Sequence, residues 1–210
     1  ALLTTVTTAF AASREGVDAA GLQQGLGDFF AQRVRTLLQD DEAIDYDLIK
    51  AVVGDGDLDY RARVLSSLLD ARDRARFLQT IRTNGTLASV YETVNRASKL
   101  ATKGDLDTTT LDPAGVVSSD LFQSPAETAF YKSLQQLVPQ TQTAQTERNY
   151  QQLLAGLQQA APVVAEFFDG PHSVLVMDED ASIRQNRLNL LGLLRNHARV
   201  LADFVAIVKG

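Results

Sequence analysis

The last third of the chain restricts its fold more than any other part. Between residues 147 and 169, Tyr150, Leu153, Leu154, Leu157, Ala161, Val164 and Phe168 recur at intervals of three and four, which places them on one face of a helix. Between 181 and 208, Leu191, Leu194, Ala198, Leu201, Val205 and Val208 repeat the pattern. Asp180 is placed to cap this second helix, which would be about 42 Å long if unbroken. Two such stripes joined by a short connection predict an antiparallel helical hairpin packed in a bundle. The connection carries a β-prone run, Ser173 to Met177, expected to cross the helix ends as extended chain. Three acids follow, and then Arg184 and Arg187. Cations at a helix N-terminus oppose its dipole. The two arginines are therefore expected to pair with Asp178, Glu179 or carboxylates of a neighbouring helix.

The remainder also reads as helices. The spacing predicts helices over 2–15, 20–38 and 86–103, a short one from an Asp45 cap to Val53, and a pair over 59–70 and 72–82. Asn84 and Gly85 stop the last of that pair. Residues 54–57, GDGD, read as a turn. From 105 to 124 the periodicity fails, yet Leu106, Leu111, Val116, Val117, Leu121 and Phe122 remain. So many apolar residues argue for an ordered elbow rather than a free linker. Ser124 followed by Pro125 starts another helix, and Pro139 is expected to separate or kink it. The fold class is all-α, an elongated helical bundle with a long C-terminal helix hairpin. The expected divisions are an N-terminal helical part (1–104), the elbow (105–124) and the C-terminal helices (125–210).

Several kinds of chemistry are excluded or disfavoured. The 210 residues contain no cysteine and only two histidines, His172 and His197, so disulfides, thiolate metal sites and a three-histidine zinc site are ruled out. Residues 55–59, DGDLD, resemble the start of a calcium loop, but Tyr60 and Ser66 stand where that loop needs glycine and glutamate. Asn84-Gly85-Thr86 fits a glycosylation acceptor and reads more simply as a helix stop. The glycines at 21, 25 and 27 lack the strand-turn-helix setting of a phosphate cradle. Neither histidine neighbours a nucleophile motif, so no active site and no metal site is expected in this segment. No run reaches the ~18 apolar residues of a membrane span. The opening ALLTTVTTAF lacks a starting methionine and the pattern of a signal peptide. We therefore expect a fragment of a larger cytoplasmic protein.

The net charge of −6 hides an asymmetry. Residues 61–104 hold nine basic side chains (Arg61, Arg63, Arg72, Arg74, Arg76, Arg82, Arg96, Lys99 and Lys103) against Asp70, Asp73 and Glu92, a local charge of +6 that leaves −12 elsewhere. A basic face on an acidic body is an electrostatic footprint of nucleic-acid binding, and equally a solvated helical surface. Arg96, Lys99 and Lys103 share one helix face. Together with Arg82 and Tyr91 they offer cations for phosphates and planar groups for unpaired bases.

Several stretches, in order, resemble the C-terminal anticodon-binding region of the bacterial glycyl-tRNA synthetase β subunit: DFFAQRVR (28–35), IDYDLIKAVV (44–53), YRARV (60–64), VNRASKLATK (94–103), SPAE (124–127), AEFFDG (165–170), VLVM (174–177), DASIRQNRLNLLGLLR (180–195) and LADFVAIVKG (201–210). The chain departs from that pattern in a longer loop at Gly170–Ser173, in Lys99 where a polar asparagine is expected, and over residues 106–120. The resemblance implies a helical anticodon-binding domain of the DALR type, related to that of arginyl-tRNA synthetase, within a glycine–tRNA ligase. The segment would be non-catalytic, with ATP and Mg²⁺ handled by the α subunit. It implies glycine tRNA, the α subunit and the rest of the β subunit as partners in a heterotetramer, and no membrane. The residues expected to bind tRNA are Arg33, Arg35, Arg82, Tyr91, Arg96, Lys99 and Lys103. Contact with tRNA phosphates is the alternative role for Arg184 and Arg187. The alternative for the whole chain is a helical protein-interaction module that docks other synthetase domains without touching RNA.

Overall fold

The computed structural model describes residues 2–14, 16–40, 42–54 and 56–209, with only the backbone of Leu2 and Leu3. Asp55 of the calcium-like stretch lies outside the described residues. Within them the chain is helical, with no β-strand. It folds as two compact units, residues 1–79 and 80–210. The divide therefore falls well before the elbow at 105–124, which belongs inside the second unit.

The first unit contains α1 (Leu2–Ala12), α2 (Ala19–Asp40), α3 (Tyr46–Val53), α4 (Leu58–Ser66) and most of α5 (Leu68–Thr83). α2 packs on α1, α3 and α4, around fully buried Leu38, Leu48, Ile49, Val52, Val53 and Val64. Each such side chain contributes roughly 1.5–3 kcal/mol on leaving water. Asp57 caps α4, accepting hydrogen bonds from the amides of Asp59 and Tyr60. Asp45 precedes α3 but makes no side-chain cap; its carboxylate accepts from Gln79 Nε2 at 3.2 Å instead. The break between α4 and α5 comes at Ser67, four residues before the expected place. α5 ends as the sequence suggests, with Gly85 at φ +79°, a conformation only glycine adopts without strain.

The second unit holds α6 (Ala88–Ala101), a 3-10 turn at Ser119–Leu121, α7 (Pro125–Glu147), α8 (Tyr150–Asp169) and α9 (Ala181–Arg199). α6 packs on α8 and α9, and α7 packs on the same two. The long hairpin is α7–α8, closed by the two residues Arg148 and Asn149, with Arg148 at φ +57°. This corrects the expected pairing of the 147–169 stripe with the 181–208 stripe. A two-residue connection forces its helices side by side. The eleven-residue connection from 170 to 180 is long enough to carry α9 to the far side, where it stands diagonal to α8.

Two expectations about helix length are also corrected. Pro139 lies inside α7 without ending it; Leu137, Thr141 and Ala144 around it are buried, and this packing outweighs the lost backbone donor. α9 stops at Arg199, about 28 Å long. Beyond it Asp203 Oδ1 accepts from the Val205 amide at 3.0 Å, a local bond that competes with helix. The stripe then changes register: Phe204 and Ile207 are buried, whereas Val205 and Val208 are exposed.

The elbow is pinned along α9. Asn186 exchanges hydrogen bonds with the Ser118 amide (2.8 Å) and carbonyl (3.0 Å). Asn189 donates to the Val116 carbonyl at 2.6 Å. Arg195 donates to the Leu106 carbonyl at 2.9 Å, and Asn196 to the carbonyls of Asp107 and Thr110, both at 2.7 Å. Gly192 lies between these rungs, where a Cβ would sit 3.0 Å from Leu106 Cδ2 and 3.2 Å from its Cβ. Side-chain amides on one face of α9 thus satisfy a backbone that has no regular structure of its own.

Candidate nucleic-acid interface

Much of the expected basic face is engaged with carboxylates of the chain itself. In the first unit Arg61 pairs with Asp28 at 2.6 Å, Arg63 and Arg74 share Asp70 at 3.1 and 2.9 Å, Arg72 reaches Asp73 at 3.3 Å, and Arg76 grips Glu42 at 2.5 Å. Arg74 is completely buried and also donates to the Val52 carbonyl at 3.3 Å. Arg35 donates to the Gly54 carbonyl at 2.6 Å. Arg33 lies 5.3 Å from the centre of the Phe29 ring. Both belong to the first unit. Sequence charge alone had no means to separate these structural arginines from accessible ones.

What the second unit does assemble is a groove of about 590 Å³ along α6, lined by Tyr91, Glu92, Asn95, Arg96, Lys99 and Leu100 with Lys209. The α6 positions follow from helical spacing: Val90, Val94, Ala97 and Ala101 face the core, which turns 92, 96, 99 and 103 outward. The C-terminal segment forms one wall. Tyr91 Oη donates to the Ile207 carbonyl at 2.8 Å, and Arg82 donates to the Val208 carbonyl at 3.2 Å. Tyr91 has one hydroxyl proton, so its oxygen accepts from Asn95 Nδ2 at 3.2 Å. Lys209 pairs with Glu92; this pairing lowers the Glu92 pKa and raises that of Lys209. Neither Lys209 nor Asn95 stood among the expected binding residues: the folding back of residues 200–209 brings Lys209 to the groove, whereas Asn95, uncharged and on α6 itself, is neither a cation nor a ring.

The cations here differ in their surroundings. Arg96 Nη1 lies 2.5 Å from Asp169 Oδ2, and its guanidinium carbon is 4.2 Å from the centre of the Phe168 ring. Lys99 and Lys103 are exposed, and no carboxylate among the described residues reaches their ammonium groups. Lys99 is in the last turn of α6 and Lys103 just past it, where cations favour the helix dipole. This end of α6 can therefore hold an anion without first breaking an ion pair.

Arg184 and Arg187 are not among the residues that line this groove. Arg184 donates to the backbone carbonyls of Asp178 (2.6 Å) and Glu179 (3.3 Å). Arg187 reaches Glu127 Oε1 and Asp178 Oδ2, each at 2.8 Å, and donates to the Leu175 carbonyl and Gln123 Oε1, each at 3.0 Å. The Asp180 amide, followed by Arg187 and Arg184, holds the Asp178 carboxyl below its usual pKa. Asp180 caps α9 through the amides of Ser182 and Ile183. The run Val174–Met177 is irregular, with Val176 buried and Leu175 exposed. Ser124 Oγ, beside the capping box of α7, donates to the His172 carbonyl at 2.6 Å.

His197 is fully buried on α9, with Nδ1 2.7 Å from Thr141 Oγ1. Burial pushes its pKa down to about 4, against an opposing pull from the Leu111 backbone. It bridges α9 and α7 as a neutral ring. Among the described residues no three His, Asp or Glu side chains gather as metal ligands, and no helix is long and apolar enough to cross a membrane.

A helical unit with a cation-lined groove on one helix defines a class. The chain belongs to the DALR anticodon binding domain family, which it matches over residues 90–208, from the start of α6 to the segment that walls the groove. Over 208 residues it is 58% identical to the glycine–tRNA ligase beta subunit of Acaryochloris marina (strain MBIC 11017), a match that covers 99% of this chain and 29% of that protein. Over 186 residues it is 60% identical to the protein of the same name from Gloeothece citriformis (strain PCC 7424), covering 89% and 26%. A more distant relative of that name, from Desulforudis audaxviator (strain MP104C), is 33% identical over 187 residues, covering 89% and 24%. The chain thus spans less than a third of these relatives.

Proposed function

We propose that this chain is the anticodon-recognising segment of a glycine–tRNA ligase β subunit. It binds tRNA for the ATP-dependent attachment of glycine and carries no catalytic group itself. ATP and Mg²⁺ act in the α subunit, and the complete enzyme is a cytoplasmic α/β heterotetramer. The observation that carries this reading is a pair of exposed ammonium groups at the C-terminal end of α6, Lys99 in the groove wall and Lys103 just past the helix, which no carboxylate among the described residues reaches. They supply phosphate attraction at a spot where Tyr91, Asn95 and Arg96 offer surfaces for unstacked bases. Glycine anticodons end in two cytosines, whose Watson–Crick edges such a groove can read once they are splayed from the loop.

Fluorescence anisotropy on the complete enzyme tests the reading. Glycine tRNA should bind with an affinity that falls steeply with salt, and a tRNA differing only in its anticodon should bind more weakly. Equal affinity for both would remove the anticodon from the model.

A separate observation favours a docking role for the first unit beside RNA binding. An apolar groove of about 600 Å³ is lined by Val6, Leu26, Phe30, Leu37, Leu65 and Leu68, with Arg33 and Arg72 at its rim. Phe30, Leu37 and Leu68 are 44%, 47% and 55% exposed, and contiguous apolar surface of this kind marks interaction sites. We assign its occupant to the rest of the same polypeptide, because more than two thirds of each relative lies outside the match. Leu37→Asp with Leu68→Asp should lower the melting temperature of the full-length subunit while leaving the isolated chain nearly unchanged. An unaltered full-length subunit would reject the assignment.

A further inference from the structure

We propose that Arg96 acts as a stacking plate for one unpaired nucleobase, and that attraction for the phosphates comes from Lys99 and Lys103. The proposal rests on the anticodon-binding reading and divides the labour within that site. Three observations carry it. The guanidinium of Arg96 lies against the Phe168 ring, 4.2 Å from its centre. Its charge is already offset by Asp169 at 2.5 Å. Its side chain is nonetheless 49% exposed and lines the α6 groove. A planar group that sits over a ring and touches one carboxylate, with half of its side chain exposed in the groove, keeps planar surface on which a base can stack.

The plate is mechanically backed. Phe168 meets Phe167 edge-on, with centroids 5.6 Å apart. Phe167 meets Phe130 in the same manner at 5.2 Å, and both Phe130 and Phe167 are fully buried. The aromatic series runs from the core of the α7–α8 hairpin out to Arg96 on α6 and backs its guanidinium with packed rings. A phosphate approaching Arg96 would meet the Asp169 carboxylate beside it. A flat base meets no such repulsion, and a delocalised, weakly hydrated guanidinium is suited to stacking. Lys99 and Lys103 have the opposite character: compact, hydrated point charges that pair with no carboxylate among the described residues.

The test measures binding of glycine tRNA by the complete enzyme across a salt series. Arg96→Lys keeps the charge and removes the plane. It should weaken binding by about 5- to 150-fold, the range for loss of one stacked base, with the slope of log affinity against log salt unchanged. An abasic nucleotide placed in turn at each anticodon-loop position should abolish that penalty at one position only. The proposal is overturned if Arg96→Lys binds as the wild type does, if it flattens the salt slope, or if its penalty is the same at every abasic position. Absence of tRNA binding by the wild-type enzyme would remove the anticodon reading and the plate with it. Binding that persists through Arg96→Lys removes the plate alone.

Discussion

Arg187 Nε lies 2.8 Å from Glu127 Oε1, and the two side chains are only 3% and 0% exposed. The other Glu127 oxygen accepts from the amides of Gln123 (2.7 Å) and Ser124 (2.9 Å). One carboxylate therefore both closes the capping box of α7 and neutralises an arginine on α9, two helices that pack together in the bundle. The arginine stands at the wrong end of its own helix dipole because its charge is needed at the start of another helix.

Arg187→Met would leave the Glu127 carboxylate buried without its counter-ion. Removal of one member of a buried pair costs about 3–5 kcal/mol. The midpoint of urea unfolding, followed by circular dichroism, should fall accordingly. A variant as stable as the wild type would mean that the pair contributes little.

Asn196→Ala removes both hydrogen bonds that hold the Asp107 and Thr110 carbonyls, and Asn186→Ala removes two at Ser118. Each should cost about 1–3 kcal/mol. Hydrogen exchange is the sharper readout: amides in 105–121 should lose protection while those of α7 and α8 keep theirs.

Lys99→Ala with Lys103→Ala should reduce tRNA affinity and flatten its salt dependence. For a single-stranded loop, each phosphate that a lysine no longer neutralises changes the slope of log affinity against log salt by about 0.7. Titrations at several salt concentrations measure it, and an unchanged slope would show that neither lysine meets a phosphate.

His197 gives the stability a pH dependence of definite sign. Its pKa lies near 4 in the folded protein and at about 6.5 when unfolded. The unfolded chain binds the extra proton between those values, so this contribution is complete above about pH 6.5 and is lost as pH falls towards 4, by roughly 3 kcal/mol in total. His197→Asn should be less stable at neutral pH and lose less on acidification. A parallel acid profile for the two proteins would assign the loss to other groups.

The helices were legible because their signals are local. The Asp180 cap, the Ser124–Pro125 start and the stop at Gly85 act within a few residues, and the stripe in α8 needs only its own spacing. Helix neighbours were less legible. The stripe in 181–208 gave no sign that Asp203 would turn the chain and bury Phe204 and Ile207 in place of Val205 and Val208. The basic segment was visible as a charge, but its partners were not: Asp28, Glu42 and Asp169 come from outside it.

By itself the sequence determined an all-helical chain without cysteine, the ends of most helices, and its family. Those properties follow from bonds and periodicities that span a few residues, or from an ordered set of motifs. Tertiary structure decided that α7, not α9, is the hairpin partner of α8, and that the irregular 105–121 segment lies on the amides of α9. It also decided which arginines are held in ion pairs, buried as at Arg74 and Arg187 or exposed as at Arg76 and Arg96, and which lysines face solvent. These outcomes depend on contacts between residues as far apart as Arg96 and Asp169, and burial and neutralisation of charge are properties of such contacts rather than of any one residue.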